Sequence, residues 1–468
     1  MRILLVRPPR PPQSITLGAF MYGEPIGLEI VYAVLSPHHE VRILDMMVEP
    51  CDIAEVCREW TPDVVGLTSL CIDVVAVLDL ARQVKTHAPG IITVAGGTQA
   101  YFDPASFHDP AIDHIMVYTT RQNLLVLFGC LAQRQPVPMI DGVQSAEQDY
   151  RSTGVAGRNE AIAPDRTSTA LYRQHYSYFG FKPCALMQTS QGCRRQCHFC
   201  LRWRLEGATE QNLPMDAVTR QIAEIEEPAI MIFDNDFLHN ADRLNTLCDW
   251  LEETGTHKHF ICYGSVHSIV HNTEAVARFA RHGLRAVLVG YESFSEDELK
   301  TYRKGISTDD NLRAARILKS CRIDAWASFI MHPDWTAEDF ARFRKYVRRL
   351  KPDISSLTPL TPFFSSPLYE QYADRLLFAR EDYTKWSFGQ VSIRPSRMPL
   401  DAYYRSVLLT NLYINFFMNN AVYIVRRFGL SALLRILPGS IRLSLRYIRL
   451  MHEARNETSL IRLGTGAS

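Results

Sequence analysis

Three cysteines stand together in one short stretch, Gln191-Gly192-Cys193-Arg194-Arg195-Gln196-Cys197-His198-Phe199-Cys200. Thiolates are soft ligands. Three of them at C-x-x-x-C-x-x-C spacing on one loop can ligate three irons of a cubane iron–sulfur cluster, whereas structural zinc normally takes four closed ligands. The missing fourth ligand leaves one iron open to a substrate or cofactor, a catalytic rather than a structural arrangement. A zinc site completed by His198 and a chance grouping of buried cysteines are the competing readings.

Such a loop needs a strand in front of it, and residues 184–188 supply one. Five further apolar runs follow, at 229–233, 260–263, 286–289, 325–330 and 354–357, separated by helical patterns at 216–226, 242–253, 273–282, 311–319 and 337–348. These units predict a partial (βα)6 barrel over residues 183–382, with its working face at the strand carboxyl ends. Phe233-Asp234-Asn235-Asp236-Phe237 closes its second strand and Gly290-Tyr291-Glu292-Ser293 its fourth. A helix N-cap by Asn235 or Asp236 and a solvated carboxylate at Glu292 are the plain readings of these acids.

Residues 1–138 carry five earlier β-branched runs, at 2–6, 41–44, 64–67, 91–94 and 114–117, alternating with helical patterns at 27–35, 53–60, 74–87 and 124–133. They predict a doubly wound, Rossmann-like α/β domain whose ligand sits beyond the strand ends, at the loops starting with Arg7, Asp45, Thr68, Gly96 and Tyr118. Thr68, Ser69, Gly96 and Gly97 are small enough for a flat ligand to approach the backbone, although Gly96-Gly97 also reads as a plain turn. Periodicity fades over 139–182, which reads as a linker. From 383 to 468 the pattern is helical, aromatic and arginine-rich.

The 468 residues, 47% apolar and 22% charged, exclude global disorder. Lys and Arg total 51 against 50 Asp and Glu, which argues against a whole-surface nucleic-acid binder. Eleven cysteines, an odd number, and no signal-peptide pattern favour a reducing cytoplasm. The most apolar stretch, 407–425, is broken by Thr410, Asn411, Asn415, Asn419 and Asn420, so no membrane-spanning helix is predicted.

At the cysteine loop the sequence resembles the radical S-adenosylmethionine (SAM) superfamily, whose C-x-x-x-C-x-φ-C motif it matches through Phe199. The resemblance implies that Cys193, Cys197 and Cys200 hold a 4Fe-4S cluster and that SAM chelates the open iron. It also implies that Asp234 or Asp236 meets the SAM amine and that Glu292, in a G-x-E-[ST] motif, accepts hydrogen bonds from SAM. With the α/β domain in front, the chain looks like a cobalamin-dependent (class B) radical SAM methyltransferase. Val65-Gly66-Leu67-Thr68-Ser69-Leu70 and Ala95-Gly96-Gly97-Thr98-Gln99-Ala100 then face the corrin. The D-x-H-x-x-G motif is absent after the first strand, where Arg7-Pro8-Pro9-Arg10-Pro11-Pro12 stands, so no axial histidine is predicted. Val117-Tyr118-Thr119-Thr120-Arg121 replaces the usual G-E-G-E segment.

Within that class, Ser328-Phe329-Ile330-Met331-His332-Pro333-Asp334-Trp335 and Pro359-Leu360-Thr361-Pro362-Phe363 look most like the hopanoid C-3 methylases. The implied reaction methylates an unactivated carbon of a polycyclic lipid: one SAM methylates cobalamin, a second yields the deoxyadenosyl radical, and a flavodoxin or ferredoxin supplies electrons. A class member acting on a tetrapyrrole or natural product, by methyl transfer or by rearrangement or cyclisation, is the alternative. Between Asp401 and Arg455, eight arginines against two acids leave a net +6, interleaved with apolar residues. Such basic amphipathic helices fit peripheral contact with the inner face of a membrane, or else an ordinary helical cap.

Overall fold

The computed structural model describes residues 1–11, 21–145, 159–419 and 421–464, with Arg435 and residues 457–464 described by their backbone alone. Five strands open the chain, β1 (Arg2–Arg7), β2 (Glu40–Asp45), β3 (Val64–Thr68), β4 (Ile92–Gly96) and β5 (His114–Met116), parallel and in spatial order β2-β1-β3-β4-β5. Ile3, Leu4, Leu5 and Val6 are all buried because helices cover both faces of the sheet, which is why these strands read as continuous apolar runs. The strand order reverses between β1 and β3. The crevice between the loops that follow them is therefore the topological switch point where such sheets bind ligands.

A sixth strand, β6 (Val143–Ser145), adds antiparallel beside β5 and has no counterpart in the sequence reading. Three residues are too few to show a period. The chain turns back at Gly142, whose φ is +86° and where a Cβ would lie 2.7 Å from the Tyr118 ring. The rest of the stretch read as a linker is also structured where it is described, residues 146–158 lying outside the described residues. Arg166–His175 forms a 3₁₀ helix whose Arg166 pairs with Glu24 on one side and Glu227 on the other. Tyr172 donates to Glu49 (2.6 Å) and Tyr176 to Asp45 (3.0 Å). A 3₁₀ helix repeats every three residues, so it leaves no 3.6-residue signature in the sequence.

The second unit is a parallel sheet in consecutive order, β7 (Cys184–Met187), β8 (Ala229–Ile232), β9 (His259–Gly264), β10 (Leu284–Glu292), β11 (Asp324–Met331) and β12 (Ile354–Pro359). Helices Met215–Glu224, Ala241–Thr254, Thr273–Arg281, Thr308–Ser320 and Ala337–Leu350 cover its outer face and complete a partial βα barrel. The helical C-terminal region begins at Leu400 rather than near 383. Before it, Ser387, Gly389, Pro395 and Pro399 interrupt the chain, and the buried Trp386 packs on Phe364, Tyr369 and Phe378. Helices Leu400–Tyr413, Ala421–Phe428 and Leu430–Gly464 follow. No described helix is long and apolar enough to cross a membrane.

One buried carboxyl at the junction of the units makes stability depend on pH. Glu29 accepts a 2.6 Å hydrogen bond from Thr169, and its second oxygen has no partner among the described residues. Burial, with Glu24 nearby, pushes its pKa from 4.5 up to about 8. The unfolded chain releases this proton near pH 4.5 and the folded chain near pH 8, so stability falls as pH rises across that interval. The loss is expected to reach about 3–5 kcal/mol. Urea unfolding at pH 5.5 and pH 8 should show it, and Glu29→Gln should flatten the dependence while raising stability at pH 8.

Candidate active site

The cysteine loop leaves β7 through Thr189 and Gly192. Gly192 has φ +87°, and a Cβ there would collide with the Thr209 carbonyl, so only glycine fits. Backbone bonds fix the loop: Cys193 N–H donates to Gly207 O (3.0 Å), His198 N–H to Tyr302 O (3.1 Å) and Cys200 N–H to Cys197 O (3.1 Å). The Trp203 indole N–H donates to Cys197 O (3.1 Å). Phe199 meets Tyr302 edge-on, ring centroids 5.5 Å apart. Cys197 is buried, Cys193 and Cys200 are half-buried, and none is in a disulfide. Burial pushes the Cys193 thiol up to about 11 and raises that of Cys197, so a cation binding there must displace their protons. Three such thiols on one tethered loop suit an iron–sulfur cluster.

The acidic segment after β8 holds this loop. Asp234 is 1% exposed and takes the Thr189 N–H (2.6 Å), the Thr189 hydroxyl (2.5 Å) and the Ser190 hydroxyl (2.9 Å). Asp234 thus clasps the chain entering the cysteine loop. Asn235 donates to Gly192 O (2.8 Å) and to Glu206 (2.7 Å), while Arg202 donates to Asn235 (2.7 Å). Asp236 accepts from Ser265 N–H (2.9 Å) and the Ser268 hydroxyl (2.7 Å), with the Arg195 guanidinium 3.8 Å away. A short polar run packed against a loop rich in N–H donors has its oxygens satisfied by protein. Sequence spacing alone cannot separate that use from ligand binding.

Glu292 ends β10 at a bulge with φ +63°. Its carboxylate folds back over Gly290, filling the place a Cβ there would take, which explains the glycine of the Gly290-Tyr291-Glu292 motif. It is not a solvated carboxylate. Lys304, equally buried, donates to Glu292 Oε1 at 2.6 Å, and its ammonium lies 5.9 Å from the Phe199 ring centroid. Burial works against the Lys304 charge, but Glu292, Cys197 and Cys200 together raise its pKa. A protonated ammonium thus stands beside two of the three thiols. Lys304 is absent from the sequence reading, since nothing in one sequence pairs residues twelve apart across a strand end and a helix.

In the first unit, Ser69 donates to Gly96 O (2.8 Å), and a Cβ on Gly97, φ +93°, would lie 2.7 Å from Ser69 N and Thr68 Oγ1. Thr68, Ser69, Gly96 and Gly97 are thus small enough for two loops of the same domain to cross closely. At the switch point, Arg10 Nε and Asp73 Oδ1 face each other 4.0 Å apart, buried and without hydrogen-bond partners among the described residues. Such orphaned polar atoms, together with exposed Leu70 and Val75, suit a large ligand that is both apolar and hydrogen-bonding. The two working faces meet: Tyr101, beyond β4, donates to Arg204 O (3.0 Å) just after the cysteine loop, and Arg380 pairs with Asp103 (2.6 Å).

A profile of the B12 binding domain matches residues 15–126, and one of the radical SAM superfamily matches residues 187–347. The hopanoid C-3 methylase of Methylococcus capsulatus (strain Bath) is 25% identical over 397 residues, 84% of this chain and 76% of that protein. The anaerobic magnesium-protoporphyrin IX monomethyl ester cyclase of Synechocystis is 23% identical over 426 residues, 85% of this chain and 82% of that protein. In fold, the chain resembles the radical SAM methyltransferase TsrM from Kitasatospora setae, solved with cobalamin and a [4Fe-4S] cluster. The TM-score is 0.63 at 14% identity, covering 97% of this chain and 99% of that one. With a B12 binding domain and a radical SAM barrel set face to face, the chain carries the two domains of a cobalamin-dependent radical SAM protein, with a 4Fe-4S cluster, SAM and cobalamin as its cofactors, and it is similar to the class B radical SAM methyltransferases.

Proposed function

We propose that this chain methylates an unactivated carbon of a polycyclic lipid, most specifically C-3 of a hopanoid. The likeness to the hopanoid C-3 methylase across 84% of the chain carries this reading. Cys193, Cys197 and Cys200 hold the cluster, Phe199 packs beside it, and the Glu292–Lys304 pair sets the charge around it. Cobalamin lies at the β1/β3 crevice, over the loops of Thr68, Ser69, Gly96 and Gly97, with no histidine in the loop after β1 to reach its metal. When bound, the cluster supplies the electron that cleaves SAM, and cobalamin carries the methyl group. The chain's own part is to bring the two faces together and to exclude water between them. A small carrier such as flavodoxin or ferredoxin delivers the electron, and the protein works in the cytoplasm as a peripheral protein on the inner membrane face.

A second reading, action on a tetrapyrrole, is favoured by the likeness to the magnesium-protoporphyrin cyclase. The discriminating experiment is anaerobic reconstitution with iron, sulfide and cobalamin, followed by mass analysis of host lipids made with and without the protein. A hopanoid heavier by one methylene per turnover is the expected result. An unchanged lipid profile with a modified tetrapyrrole overturns the lipid reading in favour of the second.

A further inference from the structure

The helix Leu430–Gly464 carries six exposed apolar residues, Leu430, Leu434, Leu437, Ile441, Leu445 and Ile448, each between 37% and 60% exposed. At about 100° per residue Leu430, Leu434 and Leu437 before Pro438 and Ile441, Leu445 and Ile448 after it each fall within about 40° of one line, so both segments of the helix carry an apolar stripe. A stripe of this kind on a surface helix needs a cover. Its charge narrows the choice. Arg442 and Arg449 are exposed along one edge, and Arg426 is exposed on the preceding helix; none has an acidic partner among the described residues. Glu453 is the only acid between Ala421 and Asn456. A second copy laid on the stripe would set arginines against arginines, whereas an anionic bilayer neutralises them.

We propose that this helix lies on an anionic membrane surface, its leucine and isoleucine stripe at the acyl boundary and Arg426, Arg442 and Arg449 at the headgroups. The proposal rests partly on the reading that the substrate is a lipid, but it concerns the surface alone. Two other arginines of the region are committed elsewhere: Arg427 donates to Asp324 (2.9 Å) and Arg446 to Gln390 (2.9 Å). The +6 charge is thus part docking face and part structural cap.

The test uses the full chain and sedimentation with vesicles of phosphatidylglycerol and phosphatidylcholine, or of phosphatidylcholine alone, without substrate. The parent should bind the anionic vesicles, and binding should weaken as salt is raised to about 0.5 M. Two variants, Arg426→Glu/Arg442→Glu/Arg449→Glu and Leu437→Gln/Ile441→Gln/Leu445→Gln, should each lose at least about tenfold in affinity, because both charge and apolar burial contribute. Their SAM cleavage and circular dichroism should match the parent. A parent that stays in the supernatant, or variants that bind as it does, overturn the proposal. So does a glutamine variant that is monomeric where the parent is dimeric, which assigns the stripe to a second copy. Vesicle binding with no lipid methylation in cells would leave the docking face standing and remove the lipid substrate instead.

Discussion

Changing Cys193, Cys197 or Cys200 to alanine is expected to abolish SAM cleavage, a fall of at least about a thousandfold, because on the proposed assignment each thiol holds a different corner of one cluster that two thiols cannot retain. The three are set on one loop by the Gly192 turn and by the Cys193, His198 and Cys200 backbone bonds, so no neighbouring cysteine replaces a missing one. Cys51 and Cys321 lie outside that loop, and alanine at either should leave iron content and cleavage unchanged. Iron and sulfide per chain, the visible absorption of the reconstituted protein and the yield of 5'-deoxyadenosine measure the three consequences together. A triple alanine variant that still cleaves SAM would sink the assignment of the cluster to this loop.

The next largest effect belongs to the Glu292–Lys304 pair. Both side chains are about nine-tenths buried and 2.6 Å apart, so removing either leaves the other charge buried and uncompensated. Glu292→Gln and Lys304→Met are each expected to cost about 3–5 kcal/mol of stability. The double variant should recover most of that loss, since two neutral groups of similar size need no mutual neutralisation. Activity should not recover with it, because the ammonium beside Cys197 and Cys200 is gone. Denaturant unfolding of the four proteins completes the cycle. Additive losses in the double variant would show that the pair is not coupled.

Much of this organisation is legible in the sequence for a physical reason. A parallel strand buried on both faces must be a run of apolar residues, and its covering helix must repeat near 3.6, so the five parallel strands of the first sheet and all six of the second lie at the apolar runs. The cysteine loop is legible because ligation needs one residue type at fixed local spacing. The segments that join the units are not. Arg166–His175 has a 3₁₀ repeat, β6 has three residues, and 387–399 is held by a buried Trp386 rather than by periodicity.

The same division runs through the site. Local spacing by itself determined that three thiols share a loop at a strand's carboxyl end and that a switch-point sheet precedes them. Only the tertiary structure decided what the acids do, because a carboxylate's role depends on which donors arrive from elsewhere in the chain. Thr189 and Ser190 turn Asp234 into a clasp, Ser265 and Ser268 occupy Asp236, and Lys304 neutralises Glu292. Gly97 likewise looks permissive in the sequence and proves to be filled by the Ser69 backbone. Ligand geometry within a few residues is encoded locally; the partners of a buried charge are fixed only when distant segments pack.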